Sequence, residues 1–247
     1  MEASARAVSL LRTSDPSAGL LAALQSLLPQ AAACAGGSIA DAQGVLWPEE
    51  AHHVEGAVER RRAEFRAGRQ YARRAMALLG EPLQAVPTDA RRAPHWPAGL
   101  VGSISHDASL CFVAVARRQA LRSVGIDFEC DTALEPALAA LVASPAERAQ
   151  SAPGLPPGAD LAKLLFVIKE ASYKAYWPLA RWMLDFGDLK VRLQAGGRFE
   201  AVLAPHCPAA DGERLLRGRF SWVQGYVLAC AHLPVLGFAP VDPMFNY

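Results

Sequence analysis

The sequence predicts an α+β protein built from two similar halves, and three observations carry that prediction. Val124, Ile126 and Phe128 alternate with Gly125, Asp127 and Glu129, a period of two that turns apolar side chains to one face of a strand. Residues 48–79 and 161–177 instead space their apolar positions at the helical period. Finally, F-S-W-V-Q-G-Y-V-L-A-C-A from Phe220 echoes I-S-H-D-A-S-L-C-F-V-A-V-A from Ile104. Each reads as strand, tight turn and apolar strand, and each follows a helix-rich segment. Taken as a true repeat, the echo divides the chain into residues 1–123 and 124–247, packed about a pseudo-twofold with a ligand cleft between them.

The 247 residues are 52% hydrophobic, enough to bury a full core as one large domain or two half-sized ones. A net charge of +1 argues against wholesale affinity for nucleic acid or membranes, so an anion site has to be made by local clustering of arginine. No uninterrupted run of about 20 apolar residues is present to span a membrane. Five cysteines, Cys34, Cys111, Cys130, Cys207 and Cys230, are scattered without ligand-like spacing, as expected of reduced core thiols in a cytoplasmic protein.

In chain order, residues 18–35 are rich in Leu and Ala, but Gln25, Ser26, Pro29 and Gln30 interrupt them and Asp15 precedes them. A surface helix is expected there rather than an export signal. Pro48, Glu49 and Glu50 then start a helical pattern that ends before Gly80, with Gly56 a natural break into two helices. At 100° steps Phe65, Ala72, Met76 and Leu79 form the buried arc, while Arg62, Arg66 and Arg73 form a stripe expected to be solvated. Arg61 and Arg69 fall on or beside the apolar arc. An inward arginine needs a partner, either an internal carboxylate or a ligand's phosphate.

Residues 89–97, D-A-R-R-A-P-H-W-P, are expected to be extended because proline and pre-proline positions disfavour helix. They bring Arg91 and Arg92 to the G-S-I-S-H strand, where His106 ends the strand beside a turn. A lone histidine at a strand end is most often structural. The following V-G-I-D-F-E sets Asp127 and Glu129 on one face. Adjacent carboxylates repel unless a cation lies between them, and an all-oxygen pair with room for water suits magnesium. An ordinary half-exposed strand also produces D-x-E.

Residues 134–149 read as helical with a break at Pro145, and residues 151–158 as a loop. Asp160 is a good N-cap for a helix over residues 161–177 that Pro178 is expected to stop. Leu161, Leu164, Leu165, Ile168 and Ser172 form its core stripe. Lys163, Phe166, Glu170, Lys174 and Trp177 point the other way, with Glu170 and Lys174 neighbours at i,i+4. That pair is either a weak surface ion pair or a third carboxylate for the cation plus a lysine for a phosphate. Two large aromatics on the same face favour the second reading. From Asp188 onward the chain reads as strands.

Four separated signatures can then be taken together: R-R-R-A-E-F-R-A-G-R-Q-Y-A-R-R-A at Arg60, R-x-P-x-W-P at Arg92, G-S-I-S-H with V-G-I-D-F-E, and F-V-I-K-E-A-S-Y-K at Phe166. In order and spacing they resemble the 4'-phosphopantetheinyl transferases over residues 47–177. The resemblance is to the two-halved surfactin/enterobactin-activating type and, within it, the enterobactin-synthetase component D branch. It implies transfer of the phosphopantetheine arm of coenzyme A to a serine of an apo acyl or peptidyl carrier protein, releasing adenosine 3',5'-bisphosphate. It also implies Asp127, Glu129 and Glu170 as magnesium ligands, and Lys174 on the pantetheine-side phosphate. Arg61, Arg69, Arg91 and His106 would contact the pyrophosphate and ribose 3'-phosphate, with Ser105 lining the pocket. Glu170 is the preferred general base, directly or through a metal-bound water, with Glu129 and a solvent route as alternatives.

A non-catalytic binder of coenzyme A or adenosine bisphosphate would gain nothing from carboxylates beside a pyrophosphate. A different phosphotransferase would be expected to carry a Gly-rich phosphate loop, which the sequence lacks. A monomer is expected, because the two halves already supply both sides of the cleft.

Overall fold

The computed structural model describes residues 15–150 and 155–235, so the first part of the expected loop at residues 151–158 lies outside the described residues. Along the chain run α1 (Ser17–Leu27), β1 (Ala32–Ser38), α2 (Pro48–Ala51), α3 (Glu59–Leu78), β2 (Leu100–His106), β3 (Leu110–Arg117) and β4 (Leu121–Cys130). They are followed by α4 (Pro136–Val142), α5 (Pro145–Arg148), α6 (Leu161–Ala180), β5 (Leu189–Gln194), β6 (Arg198–Leu203), β7 (Leu215–Val223) and β8 (Tyr226–Pro234).

The strands form two antiparallel sheets, ordered β1-β3-β2 and β4-β8-β7-β6-β5. The echo noted in the sequence falls on the hairpins β2–β3 and β7–β8. In both sheets the strand before the long helix pairs with the second strand of the hairpin: β1 with β3, and β4 with β8. Helix α3 covers the outer face of the first sheet and α6 the outer face of the second. Between the sheets lies a shared core. Phe112, Ala114 and Val101 meet Val124, Ile126, Phe128, Leu228 and Cys230 there, with Phe112 and Phe128 edge to face at 5.0 Å, a favoured aromatic geometry. The alternation in β4 thus does what its period predicts, with both faces covered rather than one.

The start and stop chemistry is largely as the sequence implies. Gly56, at φ 71°, separates α2 from α3. Ser144 caps α5 just before Pro145, and the Asp160 carboxylate accepts from the backbone of Ala162 to open α6. All five cysteines are free, four of them buried.

Several expectations fail for physical reasons. Helix α6 does not stop at Pro178 but continues to Ala180, where Arg181 in the left-handed region closes it through its N–H to Trp177. A proline in the last turn removes one backbone hydrogen bond and leaves the rest of the helix intact. Residues 18–35 hold a helix only as far as Leu27, and it buries Leu20, Leu24 and Leu27. The remainder is strand β1, which small residues without alternation conceal. Its Gly36 leaves room for the ring of Phe112, which an added Cβ would approach to 2.1 Å. Residues 89–97 are not extended throughout. Thr88 and Pro94 form a bridge, and the Asp89 carboxylate accepts from the backbone of Arg91 and Ala93 at 2.9 Å each, with Arg92 at φ 65° in the turn. Arg73, expected in solvent, is buried with its guanidinium 2.7 Å from the fully buried Glu50. That bend of α2 toward α3 is a tertiary contact no periodicity foretells.

One close approach sets where α6 lies. A Cβ on Gly125 would stand 2.0 Å from the carbonyl oxygen of Ala171 and 2.6 Å from the nitrogen of Ala175, so helix backbone fills the side-chain space of this strand position. Gly125→Ala should therefore destabilise the fold by about 3 kcal/mol or more. Gly187→Ala, whose new methyl meets nothing within 4 Å, should change stability by less than about 0.5 kcal/mol. Urea denaturation of the two variants measures the contrast.

Candidate functional site at the seam of the two sheets

Strands β2 and β4 meet where the two sheets join. Ser103 on β2 accepts a hydrogen bond from the backbone N–H of Ile126 at 3.0 Å. Two residues on, the Ser105 hydroxyl donates to Asp127 Oδ1 at 2.7 Å. Lys174 reaches from α6 to the same point, with Nζ 2.7 Å from Asp127 Oδ1 and 3.1 Å from Ser105 Oγ. The second oxygen of Asp127 is buried and has no hydrogen-bond partner. A buried carboxylate oxygen left unsatisfied is costly, and a cation is the natural group to meet it.

Glu129 and Glu170 stand on the same side. Glu129 has the Lys163 ammonium at 3.8 Å, and its carboxyl is raised above 4.5 by burial and then by the charge of Asp127, against the lowering effect of Lys163 and Lys174. Glu170 is raised from the same value by burial and then by Asp127, with Glu129 adding and Lys174 opposing. Three carboxylates thus sense one another with too little positive charge between them. The sequence reading placed Lys163 on this helix face but assigned it no partner.

The other expected contacts divide. Arg91 lies over the Trp177 ring at 5.3 Å, and with Arg92, Lys174, Trp177 and Arg181 it lines a cavity of about 330 Å³, within the size range of small-molecule sites. Trp96 closes the cavity's floor by packing on Gly102, where a Cβ would come within 2.6 Å of the indole. Tyr173, Arg181 and Met183 also line it and were not singled out from sequence. The signal for Tyr173 was its place one turn before Trp177, where the two rings lie 6.0 Å apart.

Arg69 points inward as expected, stacked over Phe65 at 3.5 Å and donating through Nε to the Val86 carbonyl at 2.9 Å. Its Nη2 is buried without a partner, and burial pulls the guanidinium down to about 10. Arg61, read as inward, is 45% exposed and sits 3.7 Å from Glu64, so its partner here is a carboxylate of its own helix. His106 is exposed at the end of β2, its Nδ1 3.4 Å from the Asp107 carbonyl. Neither joins the Ser105–Asp127–Lys174 group directly.

Lys169, next to Glu170 in the sequence, faces the opposite way. It is buried with Nζ 3.0 Å from Glu147, donating also to the carbonyls of Val142 and Phe186. These contacts tie α4, α5 and the turn after α6 to the back of the helix that carries Glu170.

Comparison with known proteins points the same way. The family model of the 4'-phosphopantetheinyl transferase N-terminal domain matches residues 49–116, and that of the 4'-phosphopantetheinyl transferase superfamily matches residues 123–231. The chain is 42% identical to 4'-phosphopantetheinyl transferase Npt of Nocardia iowensis, over 73% of this chain and 86% of that protein. It is 37% identical to 4'-phosphopantetheinyl transferase PptT of Mycobacterium tuberculosis, over 73% and 83%. It is 32% identical to enterobactin synthase component D of Salmonella typhimurium, over 70% and 72%.

Because Glu129 and Glu170 bind protons more tightly when folded, their contribution is present below 4.5 and is lost as pH rises through their raised folded values. In chelator-treated protein at neutral pH, Glu170→Gln should therefore unfold at a higher urea concentration than the parent. The difference should vanish below pH 4.5, and urea titrations at the two pH values check it.

Proposed function

The chain belongs to the 4'-phosphopantetheinyl transferase superfamily, and on that premise we propose how its residues divide the reaction. The enzyme transfers the phosphopantetheine arm of coenzyme A to a serine hydroxyl of an apo carrier protein. The serine oxygen bonds to the pantetheine-side phosphorus, the pyrophosphate P–O bond breaks, and adenosine 3',5'-bisphosphate leaves with the electron pair. The observation that carries the assignment is Asp127, with one oxygen held by Ser105 and Lys174 and the other buried and unsatisfied.

An all-oxygen set of Asp127, Glu129 and Glu170, short of positive charge, fits magnesium better than a softer ion. Once bound, that ion supplies neutralisation of the charge that builds on the pyrophosphate. Lys174 has two partners in this scheme: Asp127 when the site is free, and the pantetheine-side phosphate when coenzyme A is present. Arg91 and the buried, part-satisfied Arg69 supply further positive charge for phosphate, where the guanidinium fork suits paired oxygens. Arg61 and His106 are exposed and free to turn toward the nucleotide end. Glu170 takes the serine proton, directly or through water.

The buried Asp127 does nothing for a mere binder of coenzyme A, so that reading is not favoured. The second family match begins at residue 123, one residue before the expected division between 123 and 124, in keeping with a two-halved enzyme acting as a cytoplasmic monomer. Within that type, similarity to the Nocardia and Mycobacterium transferases stands beside that to the enterobactin component. The carrier served is read as one of siderophore, polyketide or fatty-acid assembly. No helix among the described residues is long and apolar enough to cross a membrane.

Incubation with coenzyme A, magnesium and an apo carrier protein, followed by weighing the carrier, should show the gain of one phosphopantetheine arm. Chelation should abolish it, and Asp127→Ala should slow it by more than about 100-fold. No gain on any fatty-acid, polyketide or peptide carrier would overturn the assignment. In steady-state kinetics Lys174→Met should raise KM for coenzyme A, whereas Glu170→Gln should lower kcat with KM little changed.

A further inference from the structure

Away from the cavity, three side chains of different donor types converge. Asp188 ends the turn just before β5, and His206 and Cys207 lie in the connection from β6 to β7. Their ligand atoms all fall within 4.8 Å of one another, the one such gathering of His, Cys and carboxylate groups among the described residues. His206 Nε2 is 3.0 Å from Asp188 Oδ1, and Cys207 is buried.

The backbone holds them in place. The Ala204 N–H donates to the Asp188 carbonyl at 2.8 Å and the Cys207 N–H to the Ala204 carbonyl at 3.0 Å. Arg214 donates to the Cys207 carbonyl at 2.9 Å and also to that of Ala204. The Tyr176 hydroxyl on α6 holds the next carbonyl, Pro208, at 2.9 Å. The turn carrying Asp188 also supplies the Phe186 carbonyl to Lys169 at 2.9 Å.

We propose that Asp188, His206 and Cys207 form a site for a zinc-class divalent ion, separate from the transferase cavity, that fastens the turn after α6 to the β6–β7 connection. Sulfur, imidazole and carboxylate together select such an ion over magnesium, which distinguishes this set from the all-oxygen trio at the sheet seam. Three protein ligands leave a fourth tetrahedral position for water. On binding, the Cys207 thiol gives its proton to solvent and the sulfur lone pair goes to the metal, while the imidazole coordinates in its neutral form.

The test uses the full chain, stripped with chelator and titrated with zinc alone and, separately, with cobalt. Native mass spectrometry should show one zinc per chain, and the cobalt form should show a thiolate charge-transfer band. His206→Ala, at a position 67% exposed on its side chain, leaves the core untouched and should weaken zinc binding by more than about tenfold. Cys207→Ser should abolish the cobalt band, and Asp127→Asn should leave zinc binding unchanged. No tight zinc in the parent chain, zinc binding as strong in His206→Ala, a missing thiolate band, or loss in Asp127→Asn would each overturn the proposal.

Discussion

Gly125 has no side chain, and α6 occupies the space a Cβ would take. From that one close approach the geometry of the seam follows. The carbonyl of Ala171 and the nitrogen of Ala175 lie against β4, so the next positions on that face of the strand, the buried Asp127 and the part-exposed Glu129, stand beside Lys174 and Lys163 of α6. Ser103 and Ser105 complete the register from β2, tying the first sheet to the second at the same level. The cavity then opens between α6 and the turn at residues 89–94, with Trp96 seated on a second glycine, Gly102.

Charge is distributed in two ways around this frame. Structural pairs are closed: Arg73 with Glu50 at 2.7 Å and Lys169 with Glu147 at 3.0 Å, each buried and each hydrogen-bonded to backbone as well. Such pairs are tolerable in a core because none of their fully buried side-chain atoms lacks a partner. The seam is different. Asp127, Glu129 and Glu170 face Lys163 and Lys174, one Asp127 oxygen has no partner, and burial with mutual repulsion raises both glutamates. Nearby, Arg69 keeps a buried nitrogen unmatched. A buried carboxylate oxygen and a buried guanidinium nitrogen left without partners set these groups apart from the closed pairs of the core.

Much of this was legible in residue order. The alternation of β4 placed Asp127 and Glu129 together, the i,i+4 spacing set Glu170 and Lys174 on one helix face, and Asp160 and Gly56 marked helix boundaries, because each depends only on local backbone geometry. The echo between the two hairpins was a weak signal: the order β1-β3-β2 is matched by β4-β8-β7, while β6 and β5 extend the second sheet alone. Less legible were features that depend on a partner distant in sequence. Arg73 and Arg61 exchanged roles because Glu50 comes over the first and only Glu64 lies beside the second. Strand β1 was hidden because alanine and glycine carry no alternating pattern, and its pairing with β3 is what makes it a strand.

By itself the sequence determined which side chains share a face, where helices begin, and which family the chain belongs to, since all three are written in spacing along the chain. Only the tertiary structure decided which arginines turn inward and find carboxylates. It alone settled that Lys174 lies on Asp127 while one oxygen stays free, and that Asp188 meets His206 and Cys207 from a different loop. Such contacts join segments brought together by the packing of two sheets and two long helices, and packing of that kind depends on the whole core rather than on any local period.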